Sequence, residues 1–405
     1  MKKQNMSIQN YSNQQGFTLV EFMVASVLGL VVIAGAGALY SYTKRLNDIG
    51  MARVATLQDL RAAATMIAQD SRSAGVFGCA SLGRQNAPDV VNGEIALDAP
   101  NTLTGAKALT TLNDVTNPSA GVRWISQTTA TGSTPLGIWD SAVFTPTSGV
   151  LLFYYGEGSL AYKSEAGNVV TFNAKEGHPN KIVESILASG NGYVVASGCN
   201  ALQVQQLTAV QTANEHPVTM NVTPPAPANA ANLPAGVSKM GQYADMILQR
   251  YKVVAYVVGN IPNVDDPTSS SLYRFEFGSD GDNWSPPQQL AKNVTAMTAE
   301  YLFVRECPSG TIVTAGASVP AGSGATLATV NDQLYVVRDA EAGTGDVEQD
   351  TRGNQGPSSV RLTLTYNFPD VRGGSVSSGN KGEQFVITST IRGGNVCASR
   401  KLMSL

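Results

Sequence analysis

The sequence predicts an α+β protein: a long N-terminal helix, membrane-spanning over its first half, followed by a β-rich head of mainly antiparallel strands in two parts. Three observations carry this reading. Residues 17–40 form an apolar run with one charge, Glu21. No proline occurs between residues 17 and 87, and apolar residues keep recurring at three- and four-residue spacing well past that run. Beyond Cys79 the pattern changes to short stretches of Val, Tyr, Phe and Thr separated by Gly, Asn, Pro and Ser clusters, which read as strands and turns.

The apolar run, FTLVEFMVASVLGLVVIAGAGALY, is 24 residues long. At about 1.5 Å per residue it crosses a hydrocarbon core of about 30 Å. No second stretch of this kind follows, so the body after about residue 45 folds on one side of the bilayer. Ahead of the run, residues 1–16 are polar, carry Lys2 and Lys3 without an acid, and end in Gly16. Lys44 and Arg45 flank the far end as the two lysines flank the near one, so basic residues do not set the orientation. Two readings of the terminus stay open on the residues alone. Ala34, Ala36 and Ala38 offer a small-residue signal-peptidase site that would remove the span. Against it stands Glu21, because an ionisable group in lipid costs about 2.5–3.5 kcal/mol at the bilayer centre and such a group ordinarily marks function.

From residue 41 the helix is expected to continue to about residue 75 as an amphipathic segment. Leu46, Ile49, Leu57, Leu60, Ala64 and Ile67 form its stripe, with Arg53 the one polar position, and the stripe is expected to pack on the chain's own sheet. Gly75 and Gly78 supply the stop. Strands are expected at residues 122–125, 150–155, 169–172, 193–196 and 202–210, making a first β-rich region over 76–211. Residues 212–241, with PPAPANAANLPAG at their centre, read as a linker or long loop. A second β-rich region over 242–405 holds strands at 246–258, 272–277, 294–304, 334–337, 360–368 and 384–391.

Composition narrows the function classes. The chain has 405 residues, with 27 basic and 30 acidic side chains and two histidines. There is no basic surplus for a phosphate backbone, so nucleic acid is not an expected direct partner, and few side chains suit acid–base or metal chemistry. No enzyme, metal or cofactor is expected. Ser279–Asn283 has carboxylates at Asp280 and Asp282 but neither the glycine nor the terminal acid of an EF-hand loop, and a hairpin turn between Phe277 and Trp284 accounts for it better. His178 and His216 stand in polar loop sequence with no second histidine at ligand spacing. Cys79, Cys199, Cys307 and Cys397 are widely separated, with no C-x-x-C; they fit two disulfides in an oxidising compartment, or four separate thiols. Of the three possible pairings, Cys79 with Cys199 and Cys307 with Cys397 gives each half of the body one bond.

Gly16-Phe17-Thr18-Leu19-Val20-Glu21, after a short basic leader and opening an apolar helix, resembles the type III signal of type IV prepilins and type II secretion pseudopilins. The resemblance implies cleavage between Gly16 and Phe17 by a membrane-embedded prepilin peptidase and N-methylation of Phe17. It also implies retention of the helix for filament packing and an assembly role for Glu21. Loss of Lys2 and Lys3 would leave 25 basic against 30 acidic side chains, a net −5. The length, the run Arg72-Ser73-Ala74-Gly75-Val76-Phe77-Gly78-Cys79 and a late strand ending Ile391-Arg392 look like large minor pilins of the PilW type. Such subunits are inserted in the inner membrane with a periplasmic body. They then join other minor pilins, the major pilin and a tip adhesin in a complex that primes type IV pilus assembly, for adhesion, motility or DNA uptake. Alternatives are a type II secretion minor pseudopilin of the J type and a membrane-anchored surface adhesin using the glycine-rich insertions as recognition loops.

Overall fold

The computed structural model describes residues 18–78, 80–81, 121–125, 138–139, 143–166, 169–173, 192–197, 202–207, 218–221, 247–261, 270–280, 283–304, 326–330, 333–340, 357–368 and 382–392. The chain divides into two compact units, residues 1–54 with 369–374 and residues 55–368 with 375–405.

Helix α1 spans Leu19–Ser73, 55 residues. Over the part in the first unit its apolar side chains lie open: Leu19 is 76%, Ile33 73% and Tyr40 72% exposed. A methyl group added at Gly29, Gly35 or Gly37 would meet nothing within 4 Å. In the second unit the helix turns one stripe inward through Thr56, Leu60, Ala63, Ile67, Asp70 and Ser71, at spacings of three and four. Full burial of Leu60 and Ile67 contributes about 1.5–3 kcal/mol each. The stripe therefore packs on the chain's own sheets, as expected, but it begins at Thr56. Leu46 is 51% exposed, and Ala63, not Ala64, takes the deepest position.

The helix ends where Gly75 adopts φ 73°, a left-handed conformation that a side chain disfavours. Its N–H donates to the carbonyl of Tyr154 at 2.9 Å, and the Tyr154 N–H donates to Gly121 at 2.9 Å. Gly121 has φ 86°, and a Cβ there would stand 2.0 Å from the Gly75 nitrogen. Two glycines thus let the helix terminus lie directly against a central strand.

A two-stranded ribbon follows, β1 (Val76–Phe77) and β2 (Ala80–Ser81). The larger sheet holds β3 (Val122–Ile125), β4 (Thr145–Ala166), β5 (Val169–Asn173), β6 (Gly192–Ser197), β7 (Leu202–Leu207), β8 (Val218–Asn221), β9 (Ile247–Asn260), β10 (Ser271–Asp280), β11 (Asn283–Trp284) and β12 (Gln288–Lys292). Its spatial order is β11-β10-β9-β4-β5-β8, with β12 beside β10, β3 beside β4, and β6 joining β9 to β7. The second sheet runs β14-β15-β13-β16-β17, from β13 (Val294–Val304), β14 (Thr326–Val330), β15 (Gln333–Asp339), β16 (Ser359–Tyr366) and β17 (Glu383–Thr390). Every pairing among the described residues is antiparallel.

Two sheets appear, as the sequence predicts, but the change of sheet comes at Asn293, not in residues 212–241. The larger sheet takes strands from both sides of that stretch, and β8 lies within it, paired with β5. Proline and alanine content around Val218–Asn221 hides a short strand whose own residues, Val-Thr-Met-Asn, are compatible with a ladder. The expected hairpin at residues 279–283 is present, with Phe277 opposite Trp284 and Asp280 opposite Asn283.

Central strands β4 and β9 are buried on both faces. One face holds a cluster including Leu152, Val253, Phe144, Tyr273 and Phe275. The other, with Phe153, Val254 and Tyr256, meets α1 through Leu60 and Ile67 and the second sheet through Met297 and Leu362. A strand covered on both sides has no polar face to alternate, which is why β9 reads as the near-continuous run Val-Val-Ala-Tyr-Val-Val.

Candidate functional site

The N-terminus of α1 is locally closed by its own sequence. Thr18 is the cap: the Glu21 N–H donates to the Thr18 hydroxyl oxygen at 3.3 Å, while Glu21 Oε2 accepts from the Thr18 N–H at 3.1 Å and its hydroxyl at 3.0 Å. This reciprocal capping box satisfies amide groups that no earlier helical turn can take. The pattern T-x-x-E before an apolar run announces it, so Glu21 has a role inside its own chain that reading it as an assembly residue alone does not supply. Beyond it, α1 is long and apolar enough to cross a membrane by length and composition, and none of its most apolar window is buried in the chain.

Residues 11–37 match the family model for the prokaryotic N-terminal methylation motif. Together with the exposed apolar helix, the match supports a type IV pilin-like protein anchored by one membrane helix among the described residues, and the motif implies processing by prepilin peptidase and association with pilus components. No curated protein and no solved structure matches the chain. Gly16 and Phe17 lie outside the described residues, as do Cys79, Cys199, Cys307, Cys397, His178 and His216.

At its other end, the pilin-like helix carries an acid into the core of the second unit. Asp70 is 7% exposed. Its Oδ1 accepts from the Tyr155 hydroxyl at 2.8 Å, and its Oδ2 from the Tyr256 hydroxyl at 2.5 Å and Arg274 Nε at 3.2 Å. Arg274 also donates to Glu276 at 2.9 Å. Lys252 Nζ stands 2.9 Å from Glu276 and 3.4 Å from Glu157, and Arg250 pairs with Glu157. Three acids and three bases alternate, so the cluster is neutral.

Strand geometry assembles it. Tyr155 and Glu157 on β4, Arg250, Lys252 and Tyr256 on β9, and Arg274 and Glu276 on β10 each sit at even spacing, on one face. Cross-strand register sets Tyr155 against Lys252, Glu157 against Arg250 and Tyr256 against Arg274. Burial pushes both tyrosine hydroxyls up, and the Asp70 charge and hydrogen bonds push them further, so both remain donors. Burial works against the Arg274 charge, but Asp70 outweighs it and holds the guanidinium above its usual range. Burial likewise favours a neutral Glu276, yet Lys252 and Arg274 hold it below the usual carboxylate range. Asp70 escapes notice in the sequence, although it continues the Leu60, Ala63, Ile67 stripe by three residues. An acid on a buried stripe demands partners.

Proposed function

We propose that the chain is a structural minor pilin of the large, β-headed kind, which joins a tip complex that primes type IV pilus assembly. The observation that carries this is the methylation motif at residues 11–37 continuing into a helix whose apolar side chains are open along the span. A helix exposed on all sides finds its burial in lipid before assembly and against neighbouring helices afterwards. Other minor pilins, the major pilin and a tip adhesin are the partners, and the inner membrane followed by the pilus tip is the location. The role is structural, without catalysis.

Processing tests it. Intact-mass analysis of the membrane-extracted protein should find a chain that starts at a methylated Phe17. A chain that starts at Leu39 would instead show removal of the span, and with it the end of the pilin reading.

Disulfides Cys79–Cys199 and Cys307–Cys397 belong to the same proposal. Leu302, Ser359 and Thr390 stand in one row across β13, β16 and β17, so the chain leaves β13 toward Cys307 and β17 toward Cys397 at the same end of the sheet. Phe77 and Val195, close before Cys79 and Cys199, share one core cluster. Closing loops of this length contributes about 4–5 kcal/mol each in the chain-entropy treatment. Peptide mapping without reductant is expected to recover these two pairs, and a Cys199–Cys307 peptide would rule the scheme out.

A further inference from the structure

Strand β17 ends its sheet among the described residues, and its outer edge has a distinct chemistry. The Ile391 N–H donates to Ser358 on the β16 side at 2.8 Å. Alternation then turns the amides of Phe385, Ile387 and Ser389 toward β16, and those of Gln384, Val386, Thr388 and Thr390 toward the free edge. At the Thr390 end that edge is closed by the helix, whose Ser71 hydroxyl donates to the Thr390 carbonyl at 2.9 Å. Before it, the edge borders a groove of about 730 Å³ between β17 and α1, with Ala64, Ala68, Gln69 and Arg72 on one wall and Val386 and Thr388 on the other. Natural edges are ordinarily defended by charge, proline or a bulge. The charge on β17 is confined to Glu383 at its first position, Gln384–Thr390 has neither charge nor proline, its register with β16 is unbroken, and Val386 is 54% exposed.

We propose that this groove takes an extended polypeptide segment of a second protein, added as a strand to β17 and carrying an acidic side chain where it passes Arg72. Edge amides and carbonyls before Thr390 with no partner strand among the described residues call for a backbone, not a small molecule, and give affinity without sequence. Small side chains at Ala64 and Ala68 leave room for the inserted strand's own residues on the helix side. Arg72 supplies the charge among the lining residues and follows Ser71, which closes the edge at Thr390, so that end favours an acid. None of this depends on how the N-terminus is processed.

The test is hydrogen exchange on the full chain in detergent, with two acetylated and amidated peptides of alternating valine and threonine, one beginning with two aspartates and the other with two lysines, so that a strand added antiparallel to β17 brings the charges to Arg72. The aspartate peptide should slow the Gln384, Val386 and Thr388 amides roughly ten-fold while leaving β9 amides unchanged. The lysine peptide should do less, and Arg72→Glu should reverse the preference. No slowing by either peptide would overturn the proposal, as would edge amides that are already slow without peptide, since the chain would then close its own edge. Equal slowing by both peptides would overturn the acidic requirement.

Discussion

Asp70→Ala is expected to cost the second unit about 3–5 kcal/mol, the range for removing one partner from a buried charged cluster. The loss exceeds that of a surface ion pair because Arg274 keeps its charge in a site where its side chain is 11% exposed, and two tyrosine hydroxyls lose their acceptor together. The helix should loosen first, since Asp70 is the α1 residue that holds this cluster, while Glu276 and Lys252 can still pair. Denaturant unfolding followed by near-ultraviolet dichroism, with exchange of the α1 amides beside it, measures both effects. Asp70→Asn, which can still accept hydrogen bonds but carries no charge, should fall between wild type and alanine. A loss below about 1 kcal/mol for alanine would mean that water replaces the carboxylate and that the cluster does not anchor the helix.

Glu21→Ala should leave the protein inserted and cleaved, yet lower its recovery in sheared pili by about ten-fold or more, the factor that 1.4 kcal/mol of lost pairing produces. With the proposed cleavage before Phe17, the carboxylate would lie four residues from the Phe17 amine, whose charge methylation would keep. On the proposed assembly role, pairing with the amine of an adjacent subunit in a low-dielectric setting would set the register of one helix against the next. The capping box adds a second role, and one variant separates the two. Glu21→Gln can still accept from Thr18, as glutamine does in capping boxes, but has no charge. If charge pairing governs assembly, both variants fail alike. Wild-type recovery of Glu21→Gln with loss of Glu21→Ala would assign the effect to helix capping. Wild-type recovery of both, with unchanged piliation, would remove Glu21 from assembly.

What the sequence disclosed and what it hid divide along the range of the interactions. Strands β3 and β13 are legible to the residue, because period and composition are local properties of Val122–Ile125 and Val294–Val304. The helix and its glycine stop are legible for the same reason. Strand partners are not local: β9 reads as a strand, but nothing in its residues says that β4 lies on one side and β10 and β6 on the other. Short polar strands such as β12, Gln-Gln-Leu-Ala-Lys, have too weak an alternation to stand out. At the site, the T-x-x-E cap was readable within four residues. The Asp70 cluster joins residues up to 204 positions apart, and only register brings them together.

The attachment of the helix terminus has a mechanical consequence. Within eight residues, Asp70 to Phe77, α1 and the ribbon after it reach β4 through Gly75, the β4-β9-β10 face through Asp70, and β17 through Ser71. A pull along the last turns of the helix is therefore shared between both sheets from the outset. Strands β4 and β9, which take two of these attachments, lie inside a sheet with neighbours on either side. If Asp70 anchors the helix as expected, Asp70→Ala should lower the force at which the helix comes away from the head, with the strand count unchanged.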